Sequence, residues 1–337
     1  MTESAPLVSI VVPAYNAAAT LAETIESVLS QRYAPIELIV VDDGSTDDSS
    51  TIARRFEPHL RYIRQENSGG CATPRNIGLE LSQGAFVGFL DADDLLTEDH
   101  VANLADLLVR RSDVGLVFSN YRNFPTSDLG PRDHFSTCPE LSLLLGNRDE
   151  LVLEHAMALL ARENFGIASS FLVRRELARE IEAFDQTLLA SEDFHFFYRI
   201  ARHTPIGVVR KVSMLRRLHA HNMSADPEKM LREGFRARHM LFETETDVAA
   251  RANLLEYLAC FKRDWGRLKA NHRKLPSALR HYAESLSYDR SMRALSEAGY
   301  GAIRAVAVAL GIHRPDGHGQ PRRQDWNDLN QYRVLRK

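Results

Sequence analysis

Ala85-Phe86-Val87-Gly88-Phe89-Leu90-Asp91-Ala92-Asp93-Asp94-Leu95-Leu96 sets four large apolar residues into five positions and then stops them at three carboxylates. With Gly84 in front and acids behind, the run reads as a buried strand that ends abruptly. In an open α/β sheet the carboxyl edge of the strands is where ligands bind. Asp91 and Asp93, two apart, can face one point if the chain turns between them. That donor pair suits a hard divalent cation with oxygen ligands, which in turn could grip a diphosphate. Taken without its neighbours, the stretch also fits a plain strand end, with Asp94 or Thr97 starting the next helix.

The neighbours repeat the pattern. Val8-Ser9-Ile10-Val11-Val12 is a β-branched first strand ended by Pro13. Thr20-Leu21-Ala22-Glu23 has capping-box spacing, and Leu21, Ile25, Val28 and Leu29 share a helical face. A second strand, Ile36 to Val41, runs straight into Asp42-Asp43-Gly44-Ser45-Thr46-Asp47. A helix from Ser49 to Phe56, a short strand near Leu60 to Arg64 and a loop to Thr73 follow, and Pro74 opens a helix that reaches Leu81. Beyond Asp94 the spacing predicts a helix over 99–111 and a strand over 114–118. Alternating strands and helices with near-continuous apolar strands indicate an α/β fold with a mainly parallel sheet covered on both faces.

The segment 123–148 carries two prolines and no sustained period, as a surface insertion does, and Leu141 to Leu145 within it reads as a packed turn rather than a lid. Further on, the pattern predicts a helix over 151–162, a strand over 168–173 and a helix over 175–181. Glu192 and Asp193 head an aromatic-rich helix, where they also favour the helix dipole. Strands near 206–209 and 212–218 lead to His219. From Pro227 onward the pattern is helical: Leu254, Leu258, Phe261 and Trp265 share one face, and Leu279, Tyr282 and Leu286 another. Ala302 to Ile312 is an apolar helical stretch carrying Arg304, expected to pack on the body, with peripheral membrane contact or a homodimer seam as the alternatives.

The 337 residues are 44% hydrophobic and 26% charged, ordinary for a soluble globular protein with a real core. Cys71, Cys138 and Cys260 are odd in number and lack Cys-x-x-Cys spacing, which argues against a disulfide framework or a zinc site and for a reducing compartment. Met1 to Pro6 shows no secretory pattern, and no run reaches the ~18 apolar residues of a membrane helix. The expected location is therefore cytoplasmic, or at the inner face of the membrane. Charge is uneven: residues 230–337 hold 20 Lys+Arg and 12 Asp+Glu, leaving 22 of the chain's 42 basic and 33 of its 45 acidic residues before them. An acidic body suits metal and polar sugar chemistry, whereas a basic end suits an anionic partner. Nothing in the pattern points to nucleic acid.

V-S-I-V-V-P-A-Y-N (8–16), E-L-I-V-V-D-D-G-S-T-D (37–47), P-R-N-I-G-L (74–79) and F-L-D-A-D-D (89–94), with Glu192-Asp193, Arg217-Leu218-His219 and Asn222-Met223-Ser224 later, resemble family 2 inverting glycosyltransferases of the A-type fold. The resemblance covers residues 7 to 226. It implies a GT-A-type nucleotide-sugar-binding domain over 1–226, with an insertion at about 123–150 on the acceptor side. A helical extension would follow at 227–312 and a basic tail at 313–337.

The resemblance also implies roles. Pro13, Ala14 and Tyr15 border the nucleotide, with Tyr15 stacking on the base and Asp43 accepting a hydrogen bond from it. A uracil N–H suits that carboxylate, which favours a UDP-sugar. Arg75 reaches toward the donor, although Thr73-Pro74 replaces the alanine that family members commonly show before this arginine. Asp93 ligates Mg2+ or Mn2+, Asp91 lies near the ribose or a coordinated water, and Ala92 lies between them. Asp193 is the base that takes the acceptor's proton, and Glu192 orients it or binds acceptor hydroxyls. His219 approaches the metal or diphosphate, or is a structural imidazole. The acceptor would be a carbohydrate or lipid-linked molecule in polysaccharide or glycoconjugate synthesis. Two other classes remain at this stage. A sugar nucleotidyltransferase would want a glycine-rich basic loop, which Pro13 to Ala17 is not. A nucleotide-sugar-binding protein that has lost catalysis is the other.

Overall fold

β-branched residues favour extended backbone and pack on both sides of a sheet. In the computed structural model all seven residues of β1 (Val8–Ala14) are buried. The structure describes residues 5–124, 133–219 and 222–313. β2 (Ile36–Asp42) and β4 (Phe86–Phe89) flank β1 in parallel, Val8 pairing with both Ile36 and Phe86, and β3 (Arg61–Arg64) lies outside β2. Helices α1 (Leu21–Leu29), α2 (Ser49–Arg54) and α3 (Ala72–Leu81) make the connections. Gly78 lets α3 lie against the sheet, because a Cβ there would stand 2.1 Å from Val11 Cγ1. The parallel register levels the carboxyl ends: Ala14 pairs with Asp42, and the Leu90 N–H donates to the Val11 carbonyl at 2.9 Å. Tyr15, Asp43 and Asp91 therefore leave the sheet at one edge.

The rest of the sheet is mixed. β4 pairs antiparallel with β8 (Phe171–Arg174), and β8 antiparallel with β6 (Leu116–Phe124). β6 runs parallel to β9 (Ile206–Arg217), which carries β5 (Leu95–Leu96) and β7 (Glu150–Leu153), both antiparallel. The order is β3-β2-β1-β4-β8-β6-β9-β5, with β7 also on β9. The sheet is thus mostly parallel on its first half, and a returning strand breaks the parallel run beside β4.

Several local expectations change here. Leu151 to Leu153 is strand, and only α6 (Met157–Arg162) of the expected 151–162 helix is helical, since a short apolar run does not separate the two by period. Residues 206–218 form one strand rather than two. A bulge sets Val209 opposite Ser119 and Val212 opposite Asn120, so Arg210 and Lys211 interrupt the apolar run without ending the strand. Pro13 lies inside β1 and does not end it. Thr20 makes no capping bond; its hydroxyl donates to the Ala92 carbonyl at 2.8 Å instead.

α4 (His100–Arg110) covers the sheet through Val101, Leu104, Ala105 and Leu108, all buried. The stretch read as a packed turn is a short helix, α5 (Pro139–Leu145), in which Leu141 and Leu145 are buried while Leu143 and Leu144 are exposed. α7 (Arg175–Glu180) follows β8, and α8 (Glu192–Ala201) precedes β9.

By its contacts the chain divides into two compact units, residues Met1–Met157 with Glu163–Ala220, and Ala158–Arg162 with His221–Lys337. The second unit holds α9 (Pro227–Thr244), α10 (Val248–Asn271), α11 (Leu275–Tyr288) and α12 (Met292–Ala309). Pro227 opens α9 and Asp226 caps it, accepting from the Glu228 and Lys229 N–H groups. Its interior has two clusters, Leu231 with Tyr257 and Phe261, and Ala270, Ala278, Ala298 and Ala305 around Tyr282. Gly266 and Gly301 let α10 and α12 close on the Tyr282 ring. Leu279, expected on the face of Tyr282, is 37% exposed and is not among the residues of that cluster. The basic tail beyond His313 and residues 125–132 of the insertion lie outside the described residues.

Candidate active site

Two exit loops are stitched together first. Asn16 adopts φ 49°, a left-handed conformation that asparagine tolerates. Its N–H donates to Ser45 Oγ at 3.0 Å, and its Oδ1 accepts from the Thr46 N–H at 2.8 Å. The Ala17 N–H donates to Ser49 Oγ at 2.9 Å. These bonds hold the turn after β1 against the turn after β2 and leave Tyr15 between them with 53% of its surface exposed. Pro13 and Ala14 are buried strand residues, and the Ala14 carbonyl accepts from the Asp43 N–H at 2.8 Å.

The two carboxylates after β2 differ. Asp42 is buried and structural: it accepts from the Ser45 N–H at 2.7 Å and from the Tyr62 hydroxyl at 2.5 Å. Asp43, also buried, accepts from the Gln65 side-chain amide, from the Ser68 N–H at 3.0 Å and from the Ser68 hydroxyl at 3.0 Å. The Ser68 N–H also reaches its second oxygen at 3.2 Å, so Asp43 fixes the 65–68 loop.

Arg75 is the pivot. Presented by the first turn of α3 after Pro74, it is 2% exposed. Its Nη2 donates to Asp91 Oδ1 at 2.5 Å and its Nη1 to Glu192 Oε1. Burial opposes the guanidinium's charge, yet Asp91, Cys71 and Glu192 outweigh it and raise its pKa well above the ordinary value. The sequence reading sent Arg75 toward the donor and Glu192 toward the acceptor or the base. The structure pairs the two with each other, out of water, and ties them to the acid at the end of β4.

Ser191, at φ 61°, turns the chain into α8 so that Glu192 and Asp193 enter side by side, the kind of outlier that clusters at functional sites. Asp193 accepts from the Phe194 N–H at 2.7 Å. Burial and then the Glu192 charge push its carboxyl up to about 7, with Arg75 opposing them. A carboxylate there is poised to accept a proton near neutrality.

At the other end, Asp93 Oδ2 lies 2.8 Å from His219 Nε2, and the Asp93 carbonyl accepts from Arg217 Nε at 2.8 Å. These two side chains are hydrogen-bonded to each other, and the charge of Asp91 bears on Asp93 from beside them. Among the described residues no group of three or more His, Cys, Asp or Glu side chains is placed to hold an ion. Two protein donors still fit Mg2+ or Mn2+, since Mg2+ usually takes one or two carboxylates plus substrate phosphates and water.

Sequence reasoning passed over the frame around these acids. Asp94 is buried, accepting from the Ser169 hydroxyl at 2.6 Å and from the Arg217 N–H at 2.9 Å, and burial followed by Asp93 raises its pKa well above the ordinary value. Ser169 Oγ also accepts from the Asp91 N–H at 3.1 Å. Glu23, assigned to a capping box, pairs with Arg217 at 2.5 Å. The three closely spaced acids Asp91, Asp93 and Asp94 pointed to Asp94; no local pattern marked Ser169 or Glu23.

Known proteins bear on this geometry. The chain is 39% identical over 125 residues to the glycosyltransferase GlyG of Streptococcus pneumoniae serotype 4, covering 36% of this chain and 41% of that protein. Over 145 residues it is 38% identical to TuaG of Bacillus subtilis, provisionally named a teichuronic acid biosynthesis glycosyltransferase, covering 42% of this chain and 56% of TuaG. Each alignment spans less than two thirds of the relative's length. In structure it resembles S. aureus TarS 1-349 in complex with UDP-GlcNAc, with TM-score 0.65 and 18% identity over 90% of this chain and 89% of that one. It also resembles the mannosyltransferase PcManGT of Pyrobaculum calidifontis in complex with GDP-Man and Mn2+, with TM-score 0.61 and 19% identity over 98% and 86%. At such identities the likeness is one of fold: a mostly parallel A-type sheet followed by a helical region. Residues 9–181, just over half of the 337, match the family model described as "Glycosyl transferase family 2", and the chain belongs to that family.

Proposed function

We propose that this protein transfers one sugar from a nucleotide-diphospho-sugar to an acceptor hydroxyl with inversion, using residues 1–226 as its catalytic domain. The observation that carries the reading is Arg75, locked between Asp91 and Glu192, which sets the carboxylate pair of α8 beside the acids that end β4. In a single displacement the acceptor oxygen bonds to the anomeric carbon, and the bond from that carbon to the β-phosphate oxygen breaks. The nucleoside diphosphate departs with the electron pair. Asp193 accepts the hydroxyl proton, a task for which a carboxyl pushed up to about 7 is suited. Glu192 and Arg75 act on Asp193 through charge and position.

Tyr15, half exposed at the sheet edge, offers a face to the nucleotide base, and Asp43 an acceptor. Asp93 and His219 would hold a divalent cation, Mn2+ or Mg2+, which when bound supplies Lewis-acid stabilisation of the leaving diphosphate. A UDP-sugar remains the favoured donor because the uracil N–H suits Asp43. The TarS complex carries UDP-GlcNAc and the PcManGT complex GDP-Man with Mn2+, so both nucleotides belong in the test. The acceptor proposed is a carbohydrate or lipid-linked precursor of a cell-surface polymer, the setting that TuaG's name gives for TuaG.

Thermal shift with UDP-, GDP- and dTDP-sugars, with and without Mn2+, identifies the donor, and mass spectrometry of the products follows transfer. Asp193→Asn is expected to abolish transfer while donor affinity stays near that of the parent. Undiminished turnover in that variant refutes the assignment of the base.

A further inference from the structure

The turn that leads toward α8 holds two consecutive residues in left-handed backbone, Glu182 at φ 62° and Ala183 at φ 52°. Neither is glycine, asparagine or aspartate, the residues that visit that region readily, so the conformation persists only where its surroundings over-determine it. Three helices supply the grip. In α7 the Ala178 carbonyl accepts from the Ala183 N–H at 2.9 Å. From α8, Arg199 reaches back, its Nη1 donating to the Ile181 carbonyl at 2.6 Å and its Nη2 to the Ala183 carbonyl. From α3 comes Asn76, whose Nδ2 donates to the Phe184 carbonyl at 2.8 Å while its Oδ1 accepts from the Phe184 N–H at 3.0 Å. A side-chain amide carries the donor and the acceptor that this double bond to one residue needs; a carboxylate offers no donor.

Phe184, held in this way, is 1% exposed and stands where the three elements that carry the site's charges meet. On β4, Phe89, two residues before Asp91, packs edge-on against its ring at 5.0 Å. On α3, the Arg75 guanidinium lies over the ring at 5.5 Å. On α8, Phe196 stacks on it at 4.4 Å, and Phe196 lies one helical turn after Glu192 and Asp193, on their side of the helix. Arg75 and Asn76 are adjacent, so one turn of α3 grips Glu192 directly and, through Phe184, the flank of the helix that Glu192 heads. The ion pair by itself leaves α8 free to pivot, because Arg75 holds a single side-chain oxygen of Glu192. The stacked rings give the helix a second fixed point, and such pairs add to what burial alone supplies.

We propose that Asn76 is a positioning residue: by holding Phe184 between Arg75 and Phe196 it gives α8 its second fixed point and sets where Asp193 stands. What Asp193 does once placed rests on the proposed transfer, whereas the placement does not.

Two variants test this. Asn76→Ala removes both bonds to Phe184, and Phe184→Leu keeps the apolar filling but deletes the ring, so the second serves even where the first fails to fold. Hydrogen–deuterium exchange of the free protein should quicken over residues 181–186 in Asn76→Ala and over 190–197 in both variants, and keep the parent's rate over β1, the signature of local rather than global opening. Turnover per folded molecule should fall on the order of tenfold to a hundredfold, as small misplacements of a reacting group do, with the donor KM within about twofold of the parent. Both substitutions act through one ring, so the double variant should lose no more turnover than the worse single variant. A head of α8 that exchanges at the parent's rate in both variants would overturn the proposal, as would an undiminished kcat or losses that multiply in the double variant. The exchange measurement needs neither donor nor acceptor, so it decides the placement even where Asp193→Asn keeps its turnover and the assignment of the base falls.

Discussion

Arg75→Met removes the cation that holds Asp91 and Glu192, acids from different elements, together. The side chain of Glu192 is only 6% exposed, so without Arg75 its carboxylate is left buried beside Asp193. Asp91, at 38% exposure, can turn to water and contributes little to the loss. Breaking a buried ion pair by deleting one partner destabilises by about 3–5 kcal/mol. At about 2–4 °C per kcal/mol for a domain of this size, the unfolding temperature should fall by roughly 6–20 °C. Adding Glu192→Leu to the same chain removes the stranded charge, and most of that loss should return, since apolar replacement of a whole buried pair is often neutral or stabilising. Arg75→Lys, which keeps charge but loses the two-pronged fork, should fall between parent and methionine variant. Because Arg75 also restrains the Asp193 carboxyl, the acid limb of activity in any folded Arg75→Met protein should move to higher pH. Thermal unfolding followed by circular dichroism, without donor, measures the first effect. A methionine variant that unfolds within about 2 °C of the parent, or a double variant no better than the single, would refute the buried clamp.

Three further outcomes are expected. The ionised form of Asp193 is the active one, so activity should be full above about 7 and fall roughly tenfold per pH unit below it; Glu192→Gln, which deletes a charge that raises this carboxyl, should move the limb to lower pH in the pH dependence of kcat/KM. Gly78→Ala puts a Cβ 2.1 Å from the stiff side chain of Val11, so about 1–3 kcal/mol of stability should be lost in denaturant titration, and an unchanged midpoint would mean that α3 can move off the sheet. Tyr15→Ala should weaken nucleotide binding by calorimetry, since base stacking is worth about 1–3 kcal/mol, while leaving the unfolding temperature of the free protein unaltered because the ring is half exposed.

Much of the frame was legible because it is written locally. Apolar runs such as Val8 to Val12, Ile36 to Val41 and Phe86 to Leu90 can only be buried strands between helices, and each meets its turn or its acids within a residue or two of where the ladder ends. That local grammar also marked Tyr15, Asp43, Asp91, Asp93 and Asp193 as residues at strand exits or at the head of a helix. Its failures were where one signal has two physical meanings: Leu151 to Leu153 fits helix or strand by apolarity alone, and Arg210-Lys211 reads as a strand end when it is a bulge.

What each acid does was beyond that grammar, because it depends on partners far along the chain. Arg75 meets Glu192 and Asp91 across 117 and 16 positions, and Arg217 reaches Glu23 across 194. Asp94, Ser169 and the Arg217 backbone likewise close a contact that no neighbouring residue announces. Sequence alone determined that carboxylates would stand at one edge of a sheet, since strand periodicity is a property of a few adjacent residues. Only the tertiary structure decided which of them are clamped by arginine, which are desolvated and pushed toward neutrality, and which approach a histidine, because desolvation and Coulomb energy are set by distances in space.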